Sequence, residues 1–364
     1  MTMTIAILGG YGAVGATAAR RLAAHDGNPI RVGGRNLRSA SALCEELGEN
    51  ASAHVVDLTD SRSLATFCAG ATVVLNCAGP SYRVLDTVAL AARAADAHYV
   101  DVAGDQPLFR RLDALPPSDR LAVISAGVMP GLTAILPRGL LGDDPARTGI
   151  DLHVGGPVRI TPVSAQDILL ATGPDFGAPL ASWRDGEVVQ GSVSPQWNVS
   201  LPHFGPAVHA LPYLTTESAD FARHHDIGEH RSYSVYVSER IPTTLATAWA
   251  ESPDDPTAWA GELAKAATED LSEHAPRYTI LVRRHDLDHQ TPPAWRLLQT
   301  TDPYRLSGVV AALTVQAVLA SKSTGTHPAW RFLDPQEIWT TLADDPLCHT
   351  ETHGLACTAP ELKA

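Results

Sequence analysis

Lysine is nearly absent from this chain, and its scarcity narrows the chemistry that the protein can perform. The 27 basic residues include only three lysines, Lys265, Lys322 and Lys363. Catalysis by a lysine amine is therefore confined to three positions. No tyrosine precedes a lysine by four residues, so the chain lacks the Tyr–Lys pair in which a lysine lowers the pKa of a catalytic phenol. This absence excludes the short-chain dehydrogenases.

Paired cysteines, a basic surface and a long apolar run are also missing. The five cysteines form no CxxC pair, which favours reduced thiols in a cytoplasmic protein. The formal net charge of −13 disfavours nucleic acid as a partner. The N-terminus lacks the basic region of a signal peptide. Residues 308–320 are too short and too polar to cross a bilayer, so we predict a buried helix there and no membrane contact.

Strand-like and helix-like segments alternate through the first third of the chain. Their apolar runs and helical periodicity predict an α/β fold with a doubly wound parallel sheet. The predicted strands are 4–8, 29–33, 53–57, 71–77, 98–103 and 121–126. The predicted helices are 12–25, 37–47, 61–69, 82–96 and a short one near 106–114.

A glycine-rich turn, GGYGAVG, joins the first strand to the first helix. Its glycines permit a tight turn, close approach of backbone amides to a pyrophosphate, and close packing of the helix on the strand. At this position the motif predicts a dinucleotide site. We expect the pyrophosphate to contact Gly9, Gly10, Tyr11, Gly12, Ala13, Val14 and Gly15.

The end of the second predicted strand carries arginine where an NAD site places an acidic residue. Arg35 can pair with the 2′-phosphate of NADP, and Asn36 and Arg38 lie beside it. No Asp or Glu lies between Gly27 and Leu43, so no carboxylate is available there to bind the unphosphorylated ribose of NADH. We therefore predict NADPH as the cofactor.

Topology assigns further cofactor contacts to the loops that follow the later strands, because ligands bind beyond the carboxyl ends of parallel strands. Asp57 and Leu58 are predicted near the adenine. The loops expected near the nicotinamide contribute Asn76, Ala78, Gly79, Pro80 and Gly104.

The same loops supply the candidate catalytic and substrate-binding residues. Tyr82 and Asp105 are the catalytic candidates, although Tyr82 could equally begin a helix. Asp101 fits a structural cap better. The substrate-binding candidates are Arg83, Pro130, Gly131 and Glu217. Pro130 and Gly131 precede a helix whose N-terminus could attract an anion.

Three stretches, GGYGAVG, VVLNCAGPSYRVLDTVALAARAADAHYVDVAGD and AVISAGVMPGLTAILPR, resemble the saccharopine dehydrogenase-like oxidoreductases over residues 4–141. The resemblance implies an NADP-binding Rossmann domain (1–130), an α+β substrate and dimerisation domain (131–302), and C-terminal helices (303–364) that return to the first domain. It further implies NADPH, a homodimer, and reduction of an imine of an amino-acid-derived or biosynthetic intermediate, with a small-molecule or carrier-bound substrate as the partner.

Two other functions remain open on the sequence. A trans-acting enoyl reductase would need a long apolar cleft and an acyl-carrier partner, and a non-catalytic NADP sensor would use the second domain as an interface. Cys348, His349, His353 and Cys357 are zinc-capable residue types, and His349 and His353 would share a helical face, but their spacing fits no zinc pattern. We therefore predict no metal site.

Overall fold

The computed structural model describes residues 3–173 and 175–354. The strands in the first third of the chain are β1 (Ile5–Leu8), β2 (Ile30–Gly34), β3 (Ala51–Val55), β4 (Val73–Asn76), β5 (His98–Asp101) and β6 (Leu121–Ile124). The later strands are β7 (Thr148–Gly155), β8 (Gly177–Pro179), β9 (Ser182–Arg184), β10 (Glu187–Val189), β11 (Gln196–Leu201), β12 (Gly205–Thr215), β13 (Glu229–Tyr236), β14 (Tyr278–Asp286), β15 (Ala294–Thr300), β16 (Gly325–Pro328) and β17 (His349–His353).

Helices connect and cover these strands. The helices up to residue 171 are α1 (Ala13–Asp26), α2 (Leu37–Leu47), α3 (Ser61–Cys68), α4 (Ser81–Val84), α5 (Thr87–Ala94), α6 (Asp105–Asp113), α7 (Leu132–Arg138) and α8 (Pro162–Ala171). The remaining helices are α9 (Thr216–His224), α10 (Arg240–Glu251), α11 (Ala260–Glu273), α12 (Pro303–Ala320), α13 (Ala329–Phe332) and α14 (Pro335–Ala343). Pro145–Arg147 and Pro256–Trp259 are short 3-10 helices.

The first sheet is parallel throughout, with the spatial order β16-β6-β5-β4-β1-β2-β3. Its central strands are apolar and buried because helices cover both faces. The doubly wound α/β sheet predicted from the sequence is confirmed. The sheet has one strand more than predicted, since β16 adds to the edge of β6.

The second sheet contains ten strands and is mainly antiparallel, with β7 and β13 as a parallel pair. A tight turn at Asp185 and Gly186 joins β9 to β10. Both turn residues have positive φ values, 50° and 90°, as a tight hairpin requires. Ile150 and Ile280 of this sheet belong to the same apolar cluster as Ile7 of the first sheet, so the two sheets share a core.

The C-terminal segment contacts both sheets. Helix α12 lies so close to α1 that a Cβ added to Gly308 would be 2.7 Å from the Cβ of Thr17. By length and hydropathy α12 could span a membrane, yet its middle is buried within the protein. The hydroxyl of Thr314 in this buried part donates a hydrogen bond to the carbonyl of Val310 at 2.8 Å. The buried helix predicted at 308–320 is therefore present and begins at Pro303. The segment 303–364 is not only helical, because it also contributes β16 and β17 to the two sheets.

The helix predicted at 82–96 is interrupted. It is divided into α4 and α5 at Leu85, whose φ of 46° leaves the helical region. The break gives the loop after β4 a short helix of its own beside the cleft between the two sheets.

Candidate functional site

The glycine-rich turn forms a cradle that has no room for side chains. Gly9 has a φ of 69°, and a Cβ added there would lie 2.7 Å from the carbonyl oxygen of Cys77. A Cβ on Gly15 would lie 2.7 Å from the Cα of Gly10. The turn therefore packs against the loop after β4, and Gly12 and Ala13 at the start of the helix stay exposed.

The N-terminus of α1 lies at this cradle with its first amide groups available. Gly12 is the N-cap and makes no side-chain capping hydrogen bond, and the first turn, which begins with Ala13 and Val14, contains no acidic residue. Unpaired N–H groups and the positive end of the helix dipole favour an anion at this point. The arrangement fits a pyrophosphate.

The predicted 2′-phosphate site lies at the carboxyl end of β2. The Tyr11 ring covers Gly34, where a Cβ would be 2.5 Å from the ring, and the Tyr11 hydroxyl accepts the Asn36 amide at 2.9 Å. Asn36 caps α2, and Arg35 and Arg38 are exposed on either side of it. Two guanidinium groups with accessible donors suit a phosphate monoester.

Asp57 lies near Arg35 at the end of the third strand. It accepts hydrogen bonds from the amide and hydroxyl of Thr59 at 2.9 and 2.8 Å. These bonds, together with the Arg35 charge, lower the pKa of the Asp57 carboxyl. Leu58 is half-buried beside it. The structure thus brings Asp57 to the predicted adenine edge of the cradle.

A buried carboxylate holds the two loops expected near the nicotinamide. Asp101 accepts hydrogen bonds from the Asn76 amide at 2.9 Å, the Ala103 amide at 2.9 Å and the Tyr99 hydroxyl. Asn76 in turn accepts the Ala78 amide at 3.1 Å. Asp101 is therefore a structural residue, as expected from the sequence, and Asn76 fixes the shape of the loop that contains Gly79 and Pro80.

The two catalytic candidates lie close together in the cleft between the sheets. Burial, and then the charges of Asp105, Asp167 and Glu217, raise the pKa of Tyr82 well above its usual value. The Tyr82 ring packs on Phe176 with 4.3 Å between the ring centroids. Burial raises the pKa of Asp105 to about 6, although the Gln106 amide donates a hydrogen bond to it at 2.8 Å. Gly104, with a φ of 87°, turns the chain into the helix that begins with Asp105.

Glu217 is almost completely buried and lies in the same cleft. Its Oε2 accepts the Thr133 hydroxyl at 2.7 Å, and the Gly131 amide also donates to the carboxyl group. Burial, reinforced by the charge of Asp105, raises the pKa of Glu217 to about 8. The sequence identified Glu217 as a substrate contact without indicating that it would be protonated near neutral pH.

Two of the substrate-binding candidates make contacts within the protein. The Gly131 amide at the start of α7, where the sequence predicts an anion, donates to the carboxyl group of Glu217, and substrate binding by Pro130 and Gly131 stays a prediction. Arg83 does not point into the cleft. Its Nη2 donates to Asp255 at 3.2 Å and to Thr257 at 2.6 Å, which ties α4 to the second domain.

Asp167 is a cleft residue that the sequence did not reveal. It lies on α8 of the second domain, accepts the Tyr82 amide at 3.4 Å, and comes within 3.3 Å of a Cβ added to Gly79. Burial raises the pKa of Asp167 to about 6. It lies 85 residues beyond Tyr82 in the sequence, and no local motif marks a carboxylate that reaches a loop of another domain.

Two polar residues of the second domain, Tyr213 and His230, have structural roles. The Tyr213 hydroxyl donates to the carbonyl of Ala171 at 2.7 Å. His230 is buried beside Phe221, and burial lowers its pKa to about 4. His349 and His353 lie on β17, so the expected helical face does not exist. Cys357 lies outside the described residues. Within residues 3–173 and 175–354, no group of three or more His, Cys, Asp or Glu side chains could hold a metal ion.

Comparison with known proteins agrees with this geometry. The family described as "Saccharopine dehydrogenase NADP binding domain" matches residues 5–122. No curated protein sequence matches the chain.

Solved structures share the fold along the whole chain. The apo saccharopine dehydrogenase (L-Glu forming) of Saccharomyces cerevisiae has a TM-score of 0.65 at 16% identity, covering 97% of this chain and 100% of that one. The homospermidine synthase of Legionella pneumophila, solved with NAD, has a TM-score of 0.57 at 11% identity, covering 100% of this chain and 94% of that one. Residues 5–122 therefore match an NADP-binding domain of the saccharopine dehydrogenase type, and the whole chain shares the fold of these two solved structures.

Proposed function

We propose that this protein reduces a carbon–nitrogen double bond, the imine of an amino-acid-derived or other biosynthetic intermediate, with NADPH. The observation that carries the proposal is the charge of the cleft. The carboxyl groups of Asp105 and Asp167 lie near enough to Tyr82 to raise its pKa, and their own pKa values of about 6 leave both mostly ionised at neutral pH. An iminium ion brings positive charge to the reacting bond, and carboxylates stabilise positive charge.

Reduced NADP, when bound, supplies the hydride that the imine carbon accepts. The residues of the chain then have to position the imine, exclude water and supply a proton if the imine arrives unprotonated. Asp105 suits the proton transfer because its pKa of about 6 leaves part of the population protonated near neutral pH. Tyr82 and Phe176 cover the cleft with aromatic surface, which favours exclusion of water.

The same charges argue against reduction of a carbon–carbon double bond in a carrier-bound acyl chain. Hydride addition to an enoyl thioester develops negative charge on the thioester oxygen, which hydrogen-bond donors stabilise and carboxylates do not. A long acyl chain also needs an apolar groove. The cavity beside Asp105 measures about 370 Å³ and has charged residues on its wall.

Turnover assays distinguish these reactions. The absorbance of the reduced nicotinamide is followed with purified protein, NADPH, and a panel of cyclic imines, amino-acid and aldehyde pairs, and enoyl thioesters. We expect oxidation of NADPH with an imine or with a pair that forms one. Turnover restricted to enoyl thioesters would establish the alternative, and NADPH binding without turnover of any panel member would favour a sensor.

The homodimer through the second domain and the cytoplasmic location stay predictions. Trp197 on β11 is 50% exposed, and an interface through the second sheet would be expected to cover such a side chain. Light scattering on the wild type and on Trp197→Glu tests the prediction. A wild-type dimer that becomes a monomer in the variant agrees with it, and a wild-type monomer contradicts it.

A further inference from the structure

A cavity of about 370 Å³ extends from the cleft along α6 and α9. Asp105 and Phe109 line it from α6, Glu217 and Asp220 line it from α9, and Trp330 closes it from α13. We refer to this space as the acidic cavity. Its inner end lies next to the loops expected near the nicotinamide, because Asp105 and Glu217 border both.

The residues around the acidic cavity do not supply a hydrogen-bond donor to every carboxyl oxygen on its wall. Among the described residues, Glu217 Oε1 and Asp220 Oδ2 have no hydrogen-bond partner, although both oxygens are buried. Glu217 is only 4% exposed and Asp105 only 8%. Buried polar atoms are normally paired, so the unpaired oxygen of Asp220, and that of Glu217 once it is ionised, indicate a missing donor.

The positive charges near the cavity lie at its rim. Arg223 and Arg331 are both exposed, and Arg223 already pairs with Asp220 at 2.5 Å while lying 5.1 Å from the Trp183 ring. The inner end therefore has the negative charge of Asp105, joined by that of Glu217 when it is ionised, and the outer end is positive. A ligand that enters with one cationic group leading meets attraction inside, whereas a second cationic group at its tail would meet the two arginines.

We propose that the acidic cavity binds the protonated amine end of the reaction's amine product, with Asp105, Glu217 and Asp220 as its partners. This inference rests on the proposed imine reduction, in which the carbon gains a hydride and the nitrogen a proton, so that the product is an amine. Such an amine is an ammonium ion at neutral pH and supplies the missing donors. Phe109 and Trp330 provide apolar contact for the carbon atoms attached to it. A monoamine fits the charge distribution better than a diamine.

Binding of an ammonium ion should displace a proton from the cavity. Asp105 on α6, Tyr82 on α4 and Asp220 on its own helix lie near Glu217. Arg223 and His224 line the same cavity, and Arg110 lies near Asp105. The Glu217 pKa of about 8 leaves this residue largely protonated at neutral pH. A bound cation lowers that pKa, so proton release should accompany binding.

Isothermal titration calorimetry with the whole protein and oxidised NADP, which prevents turnover, tests the proposal. The probes are n-pentylamine, the isosteric n-pentanol, pentanoate, and the corresponding diamine. We expect n-pentylamine to bind at least tenfold more tightly than each of the other three and to release a proton, as measured in buffers of different ionisation enthalpy.

Variants show whether binding takes place in the acidic cavity. Glu217→Gln and Asp220→Asn should each weaken n-pentylamine at least tenfold, and Glu217→Gln should abolish proton release. Glu262→Gln, an exposed carboxylate on α11, should change neither, and thermal denaturation confirms that each variant folds.

Equal binding of n-pentylamine and n-pentanol, or unchanged binding in both cavity variants, would overturn the inference. If imines are reduced while n-pentylamine fails to bind, the cavity assignment is wrong and the proposed chemistry stands. If n-pentylamine binds with proton release while no imine in the panel is reduced, the amine site stands and the proposed reaction is wrong.

Discussion

The cofactor cradle and the acidic cleft lie side by side but are built in opposite ways. The cradle is made of backbone from one contiguous turn, residues 9–15, with exposed arginines at its edge. The cleft is made of buried side chains from distant parts of the chain, such as Asp105 and Thr216, which are 111 residues apart in the sequence and joined by a hydrogen bond of 3.4 Å. One site depends on local conformation, and the other depends on how two domains pack.

This difference leads to different sensitivities. A cradle made of backbone tolerates few changes in shape but carries little titratable charge of its own. A cleft made of buried carboxyl groups tolerates neutral isosteres but responds to pH, because its charged forms are costly in a low-dielectric environment. Four substitutions test the contrast.

The largest effect is expected for Gly9→Val. Its φ of 69° and the nearby Cys77 carbonyl leave no space for a Cβ, and a strained φ alone costs on the order of 1–3 kcal/mol. We expect NADPH affinity, measured by fluorescence titration, to fall roughly 100-fold. Gly261→Ala is the control, since no atom lies within 4 Å of the added Cβ. Wild-type affinity in Gly9→Val would show that the turn is not the cofactor site.

The second largest effect is expected in the free energy of unfolding, which should depend on pH through Glu217. The pKa of Glu217 is raised from 4.5 to about 8 in the folded protein. The folded state therefore holds its proton more tightly than the unfolded chain does, so stability is full below pH 4.5 and is lost as the pH rises towards 8. Between pH 6 and 8, above the pKa of Asp105 and Asp167, we expect the free energy of unfolding to fall by about 2 kcal/mol.

Urea denaturation at the two pH values measures this fall. Glu217→Gln should remove most of it, while the exposed Glu45→Gln should leave it unchanged. A decline in Glu217→Gln equal to that of the wild type would mean that other groups cause it.

Arg35→Asp tests the edge of the cradle. Loss of a charge-assisted pair with the 2′-phosphate is expected to cost about 1.5–3 kcal/mol, or roughly 10- to 100-fold in NADPH affinity, with little change for NADH. The control is Lys322→Asp, an exposed basic residue after α12. An equal loss for both cofactors would show that Arg35 supports the fold and does not select the phosphate.

The smallest effect is expected for Tyr82→Phe. The ring keeps its packing on Phe176, and only the hydroxyl is lost. One hydrogen bond of about 1 kcal/mol corresponds to a decrease of about fivefold in kcat, with unchanged NADPH affinity. Steady-state kinetics with the best imine of the panel provides the measurement. A loss of several hundredfold would instead give the phenol a direct part in proton transfer.

The sequence predicted what local chemistry determines. The turn at Gly9 to Gly15, the arginine after β2 and the buried helix ending at Ala320 each follow from residue type and spacing within a short window. Asp101 could also be interpreted as structural, because an acid at the end of a buried strand needs donors from its own neighbourhood.

Features that depend on tertiary packing escaped prediction. β16 has only four residues and joins the first sheet about 200 residues after β6, so nothing in its own sequence indicates that neighbour. The role of Asp167 depends on packing between the domains, since it reaches from α8 of the second domain to Gly79 and Tyr82 in the loop after β4. The occupation of the α7 N-terminus by Glu217 likewise requires knowledge of the fold.

The placement of β16 has a consequence for protein synthesis. On the ribosome, β6 emerges early but remains an open edge strand until Gly325–Pro328 has been translated, and the surface of α1 that meets α12 stays uncovered for almost as long. The NADP-binding domain therefore cannot complete its sheet or its core while the second domain is being made. A nascent chain shortened before α12 should expose apolar surface and attract chaperones, even though it contains the whole of the cofactor cradle.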